Sequence, residues 1–209
     1  MPGTNKGRIN QRAQRYFDSK AHGHHTETAK KHVHDRHLSI LTELSFYNYE
    51  AVLDVGCGTG SLLARIPNRK GLVLAGIDFS PKMLAIAKEQ VGHKADLRHG
   101  DSVSLPWEDD VFDMVVCADS FHYYLHPEAV LREMRRVLKD KGRLVIAEPW
   151  YFWPLRKLIN LFLPLERSGK VKIYSEDEFT AMLKEAGFDG VKWREAAQNA
   201  CVVSAQCIK

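Results

Sequence analysis

The stretch that most constrains this chain runs over residues 52–60, VLDVGCGTG. An apolar run that breaks into Gly56, Gly58 and Gly60 requires a buried strand ending in a tight turn. Glycine takes positive φ cheaply and leaves the backbone N–H groups open to an approaching molecule. Such a chain folds around a strand whose carboxyl end meets a ligand. Asp54, two residues before the first glycine, narrows the choice of ligand. A carboxylate there opposes the pyrophosphate that a dinucleotide brings to such a turn. It attracts a ligand carrying an ammonium or sulfonium group and no phosphate, as S-adenosylmethionine does.

The surrounding pattern is β and α in alternation. Short β-rich runs fall at 51–55, 72–77, 95–99, 112–117 and 143–147. Helices are expected from near Gly60, from Ser80-Pro81, and over 128–139, the last with a basic final turn and Gly142 beyond it. This rhythm argues for a mostly parallel sheet with helices on both faces. Ser175-Glu-Asp-Glu178 is a capping box opening a helix to Ala186. Strands at 190–195 and 200–208, joined by a turn containing Asn199, predict a terminal hairpin. Residues 1–10 read as a polar tail, and 33–44 as a helix leading into the core. The expected organisation is a tail and helical lid over 1–44 and one α/β domain over 45–209. Within that domain the aromatic, proline-broken segment 150–170 is an insertion covering the pocket mouth.

Composition excludes several classes. A chain of 209 residues with 44% apolar content buries one core, not two. A net charge of +4 permits an acidic partner without demanding one. Cys57, Cys117, Cys201 and Cys207 form no CxxC pair and read as reduced, structural thiols. The polar N-terminus lacks a signal-peptide core, and the longest apolar candidate, 150–165, is interrupted by Pro154, Arg156, Lys157, Asn160 and Pro164. No membrane span and a cytoplasmic location are expected.

Three further motifs follow the glycine loop: GIDFS at 76–80, HGD at 99–101 and VLKDKGRLVIAEP at 137–149. Asp78 closes the second strand 22 residues after Gly56, where a carboxylate accepts from both ribose hydroxyls. Phe79 is placed to lie on an adenine face. Asp101 and the Ser102 amide are placed to meet the adenine exocyclic amine. These four motifs, in order and spacing, resemble the class I, Rossmann-like, S-adenosylmethionine-dependent methyltransferases, in particular the small-molecule group of the ubiquinone/menaquinone-biosynthesis type. The resemblance is strong over 45–149 and looser at Tyr16–Ala21 and Ile173–Phe188.

It implies a three-layer sandwich: a seven-stranded, mostly parallel sheet, an antiparallel C-terminal hairpin and an N-terminal helical lid. It also implies S-adenosylmethionine as cofactor and in-line methyl transfer to a small, apolar or aromatic acceptor. The implied cofactor residues are Asp54 (acting indirectly), Gly56, Cys57, Gly58, Gly60, Asp78, Phe79, Met83, Asp101, Ser102, Ala118 and Asp119, with no reactivity assigned to Cys57. The acceptor pocket is expected at Tyr16, His122, Tyr123, Glu148 and Trp150. His122 reads either as a general base or as a loop histidine that packs.

No Asn/Asp-Pro-Pro-Tyr or Pro-Cys motif follows the fourth strand, which disfavours a nucleic-acid substrate. His22, His24, His25, His32, His34 and His37 read as a polar lid rather than a metal site, because His32 falls off the helical face shared by His34 and His37. Tyr16 and Lys20 reproduce a Tyr-x-x-x-Lys pair of short-chain dehydrogenases, but they precede the glycine loop instead of following it. The rival readings are a nicotinamide-dependent oxidoreductase, an RNA or protein methyltransferase, and a non-catalytic S-adenosylmethionine-binding protein.

Overall fold

The computed structural model describes residues 5–20, 27–165, 169–196 and 199–209. Its centre is a seven-stranded sheet of β1 (Ala51–Val55), β2 (Val73–Asp78), β3 (Ala95–His99), β4 (Phe112–Ala118), β5 (Leu138–Pro149), β6 (Phe188–Ala196) and β7 (Ala200–Cys207). The strand order is β3-β2-β1-β4-β5-β7-β6. β1 to β5 pair in parallel, and β7 runs antiparallel between β5 and β6. The expected doubly wound sheet with its terminal hairpin is therefore the observed one.

Strand period two divides the core into two layers. Leu53, Val115, Cys117, Leu144 and Ile146 face one side, against α4 (Pro127–Val137) and α6 (Glu176–Glu185). Val52, Met114, Val116, Val145 and Ala147 face the other, against α2 (Glu27–Ser45) and α3 (Pro81–Val91). Ser80 caps α3 by accepting from the Met83 N–H at 3.2 Å, with Pro81 at its first turn. The Ser175/Glu178 capping box is present at α6.

Three expectations of local structure are corrected. The helix expected after Gly60 is a single 3₁₀ turn, Leu63–Arg65. Pro67 leaves too few residues for a helix before the chain must reach β2. The helix expected over 128–139 ends at Val137, and β5 begins at Leu138, opposite Phe112. Gly142 is thus a strand irregularity, crowded by the Lys139 and Asp113 carbonyls, and not a helix cap. The N-terminal tail is helical from Asn5 as α1 (Asn5–Lys20), and α2 begins at Glu27 rather than near residue 33. The 150–170 segment forms α5 (Trp153–Phe162) and a 3₁₀ turn, Leu163–Leu165. His22, His24 and His25 lie outside the described residues, as does the Lys20 side chain that a Tyr16–Lys20 pair needs. No described helix is long and apolar enough to cross a membrane.

Candidate active site

The glycine loop is built by strict local geometry. Gly56 and Cys57 both donate their N–H to the Ile77 carbonyl, at 2.9 and 3.0 Å, so the loop folds over the end of β2. Gly56 has φ +79°, and a Cβ there would lie 2.3 Å from Ser120 Oγ. Gly60 turns back through φ +75° against Val91 and bonds Cys57 rather than reaching the ligand side. Gly58 differs: a Cβ on it would meet no protein atom within 4 Å. That space belongs to a cavity of about 340 Å³ at the carboxyl ends of β1, β2, β3 and β4. The volume lies in the roughly 300–1,000 Å³ range of small-ligand sites.

Ten of the twelve expected cofactor residues border this cavity: Gly56, Cys57, Gly58, Asp78, Phe79, Met83, Asp101, Ser102, Ala118 and Asp119. Asp78 accepts from the Gly58 N–H at 2.9 Å and the Ser80 N–H at 2.8 Å. Burial raises its pKa and these two N–H groups oppose the rise. Asp101 is exposed and accepts from the Val103 N–H at 3.2 Å. Burial also pushes the Cys57 thiol well above its usual range, so no reactive thiolate forms there.

Gly60 and Asp54 lie behind the wall. Asp54 is 2% exposed and its Oδ1 has no hydrogen-bond partner among the described residues. Burial, then the charge of Asp78, raises its pKa to about 8. At neutral pH it holds its proton, so its influence on a cationic ligand is that of a buried reserve of charge.

α1 and α2 roof the cavity. Phe17 packs edge-on against Phe79 and Tyr123, with centroids 5.8 and 4.8 Å away. Tyr16, expected in the pocket, packs its ring against Phe17 and does not border the cavity itself. Asp18 accepts from Ser80 Oγ at 2.6 Å, which ties α1 to the cap of α3. On α2, Val33, His37, Ile40 and Leu44 form one stripe at i, i+4, i+7 and i+11. Its lower half fills the core, and Val33 and His37 border the cavity. That apolar stripe was the available signal for His37, which sequence reasoning left within a polar group. Burial first, then Arg65, Arg36 and His34, lowers the His37 pKa to about 4, so its imidazole is neutral. His34 points elsewhere and accepts from Arg65 Nη2 at 2.8 Å.

The loop after β4 is held from below. Glu148 accepts from the Phe121 N–H at 2.8 Å and the His122 N–H at 3.3 Å, and is hydrogen-bonded to His122 Nδ1. His122 is 4% exposed and sits behind Tyr123, ring centroids 4.2 Å apart, while Tyr123 borders the cavity. Neither His122 nor Glu148 borders it. Trp150 does not border it either, and packs edge-on against Trp193 of β6. α5 contributes no residue to the cavity wall.

Asp119 is the most unusual wall residue. It holds φ +58°, uncommon for a side-chain-bearing residue. Its Oδ1 lies 2.5 Å from Arg36 Nε of α2. Its Oδ2 is buried with no hydrogen-bond partner among the described residues. Burial raises its pKa against the pull of Arg36. Asp119 borders the cavity with a side chain 22% exposed, and its acid fits the positive methionine end of S-adenosylmethionine. Asp78, Phe79 and Asp101 at the neighbouring strand ends fit its adenosine.

Comparison with known proteins agrees. Residues 53–146 match a family described as "Methyltransferase domain". The demethylmenaquinone methyltransferase of Alkalihalophilus pseudofirmus is 33% identical over 172 residues, covering 66% of this chain and 70% of that protein. The Thermotoga maritima enzyme of the same name is 45% identical over 103 residues, 48% of this chain and 44% of that protein. The chain spans about half the length of the first curated relatives it matches. Among solved structures, an S-adenosylmethionine-dependent methyltransferase from Aquifex aeolicus shares the fold. Its TM-score is 0.65 at 24% identity, over 82% of this chain and 89% of that one. The four motifs, the strand order and these relatives place the chain among the class I, Rossmann-like S-adenosylmethionine-dependent methyltransferases, in the group that includes the demethylmenaquinone methyltransferases.

Proposed function

We propose that this protein transfers a methyl group from S-adenosylmethionine to a small, apolar or aromatic acceptor bound under the α1/α2 roof. The observation that carries this reading is the cavity wall itself, which brings Asp78, Phe79, Asp101 and Asp119 together at the strand ends. A dinucleotide would bring pyrophosphate into this acid-lined space, and the Coulomb sign is wrong for it. When bound, S-adenosylmethionine supplies a methyl carbon already activated by its sulfonium.

The protein's own task is to hold, orient and exclude water. Asp78 and Asp101 take the adenosine, and Asp119 takes the ammonium. Phe17, Val33 and Tyr123 give the acceptor an apolar surface, and neutral His37 offers it a hydrogen-bonding nitrogen. His122 acts as a positioning residue. With Glu148 it fixes the loop that presents Tyr123, and its burial keeps it from the reacting atoms. The names of the relatives, which specify demethylmenaquinone, support a small organic acceptor over RNA or protein.

Calorimetry with S-adenosylmethionine, its demethylated product and NAD tests the cofactor. Tight NAD binding with no response to S-adenosylmethionine overturns it. Incubation with methyl-labelled cofactor and fractionated cell extract tests the acceptor. Label in the small-molecule fraction is expected, and label in RNA or protein overturns the substrate class. Cofactor binding with no labelled product in any fraction favours a non-catalytic binder.

A further inference from the structure

α5 turns several large apolar side chains outward. Its protein-facing side is anchored by a polar residue: Asn160 donates to the Ile173 carbonyl and accepts from the Ile173 N–H, both at 2.9 Å. No α5 residue is buried. Its exposed side chains include Trp153, Leu158, Leu161 and Phe162, with Leu161 69% and Trp153 61% exposed, and Phe152 and Leu165 flank them. A helix in water turns its apolar stripe to the core. Here Leu155 and Ile159 are half-buried while Trp153, Leu158, Leu161 and Phe162 stay exposed, and exposed apolar surface of this kind marks a contact surface.

Charge selects the occupant. Residues 150–165 contain Arg156 and Lys157 and no acidic residue. Lys157 Nζ lies 4.7 Å from the Trp153 ring centroid, one turn along the helix from both Trp153 and Leu161. Exposed aromatic and leucine side chains beside cations suit the headgroup boundary of an anionic bilayer. Tryptophan favours that boundary because one end is apolar and the other wet. A second copy of the chain fits less well. A ten-residue helix is about 15 Å long and presents a few hundred Å², well under the roughly 800 Å² per partner of a standard interface.

We propose that α5 docks the protein, without spanning, onto an anionic lipid surface, with Trp153, Leu158, Leu161 and Phe162 entering the headgroup boundary. The position of α5 gives this docking a use. The chain beyond it lies against the roof, where Gly169 is packed so closely on Ala13 of α1 that a Cβ would be 2.8 Å from its nitrogen. Val171 then donates to the His122 carbonyl at 2.8 Å. Docking through α5 therefore sets the cavity roof beside the bilayer, where apolar molecules concentrate.

The test is co-sedimentation of the full chain with vesicles of phosphatidylcholine and phosphatidylglycerol in equal parts, against phosphatidylcholine alone. Binding is expected to favour the anionic vesicles and to weaken with salt. The Leu158→Asp/Leu161→Asp variant should lose binding on the order of a hundredfold, with S-adenosylmethionine affinity unchanged. If that variant fails to fold, tryptophan quenching by brominated lipid replaces it, with quenching expected in the native chain and reduced in Trp153→Phe. No binding to anionic vesicles overturns the proposal, and so does binding that survives the double substitution. A dimer in sedimentation equilibrium that the double substitution dissociates also overturns it, by placing a second copy on this face. None of these readouts depends on which acceptor is methylated.

Discussion

Arg36 Nε of α2 lies 2.5 Å from Asp119 Oδ1 at the end of β4, and this ion pair fastens the roof of the cavity to the sheet. The two side chains are 9% and 22% exposed, so water screens the pair poorly. Asp119 uses one carboxylate oxygen for the roof, and the other is buried with no hydrogen-bond partner among the described residues. Arg36→Met strands a buried carboxylate and should cost about 2 kcal/mol of stability. Arg36→Met/Asp119→Asn should recover much of that loss while keeping S-adenosylmethionine affinity low. Thermal melts and calorimetry on both variants separate the two duties. Affinity at the native level in the double variant would remove Asp119 from the cofactor site.

Asp78 and Asp101 face the same cavity but differ in what else they hold. Asp78 braces the glycine loop through the Gly58 N–H, whereas Asp101 is exposed and bonds only its own turn. Asp101→Ala should leave the melting temperature almost unchanged and weaken S-adenosylmethionine binding. Asp78→Ala should do both kinds of damage, with an affinity loss on the order of 1–3 kcal/mol, roughly tenfold to a hundredfold. Calorimetry at one pH and salt checks the pair. Unchanged affinity in Asp78→Ala would refute the ribose assignment.

Gly56 and Gly58 make a sharper contrast. A Cβ on Gly56 would collide with Ser120, whose Oγ is already bonded to the Val55 carbonyl at 3.0 Å. Gly56→Ala combines that overpacking with a left-handed backbone and should cost about 3 kcal/mol. Gly58→Ala meets no protein atom, and φ +53° is ordinary left-handed geometry, so about 1 kcal/mol is expected. Gly58 borders the cavity, so the added methyl group stands at the ligand's edge of the loop. Gly58→Ala should therefore fold and lose cofactor affinity, while Gly56→Ala should lose stability first. Melting curves with and without S-adenosylmethionine distinguish them.

The strands and the cofactor wall were legible because both are local. Period two and β-branched runs located β1 to β4 within a residue or two, and two acidic strand ends, Asp78 and Asp101, pointed to the cavity that the structure shows. What failed to read depends on distant partners. The helix expected after Gly60 was displaced by Pro67 and the short path to β2. β5 starts early because Leu138 pairs with Phe112, 26 residues upstream. Which lid histidine faces inward was decided when α2 docked on β4 and β5. His37 rides the same stripe as Ile40 and Leu44, yet the surrounding histidines masked that stripe. His122 and Trp150 looked like pocket residues because they follow strands that end at the site. Tertiary pairing with Glu148 and Trp193 took them out of it.

Asp54 and His37 give the apo protein a pH dependence whose two arms have opposite sign. His37 titrates near 6.5 when unfolded and about 4 when folded, so its neutral form is favoured by folding. Stability from this group is present above 6.5 and is lost as pH falls toward 4. Asp54 ionises near 3.8 when unfolded and holds its proton to about 8 when folded. The folded state then binds the extra proton, and stability is lost as pH rises through that interval. Between 6.5 and 8 the His37 contribution is constant, so the Asp54 slope stands alone against it. Asp78 and Asp119 are raised by burial as well and add to the background in the same direction. Asp54→Asn keeps the shape of the buried group and removes its titration. The native protein should lose on the order of 1–2 kcal/mol more than Asp54→Asn across this window, a few degrees in Tm for a chain of this size. Melts of the two proteins at matched ionic strength measure the difference directly. Parallel slopes would mean that Asp54 is ionised throughout, with its charge already present before any cationic ligand arrives.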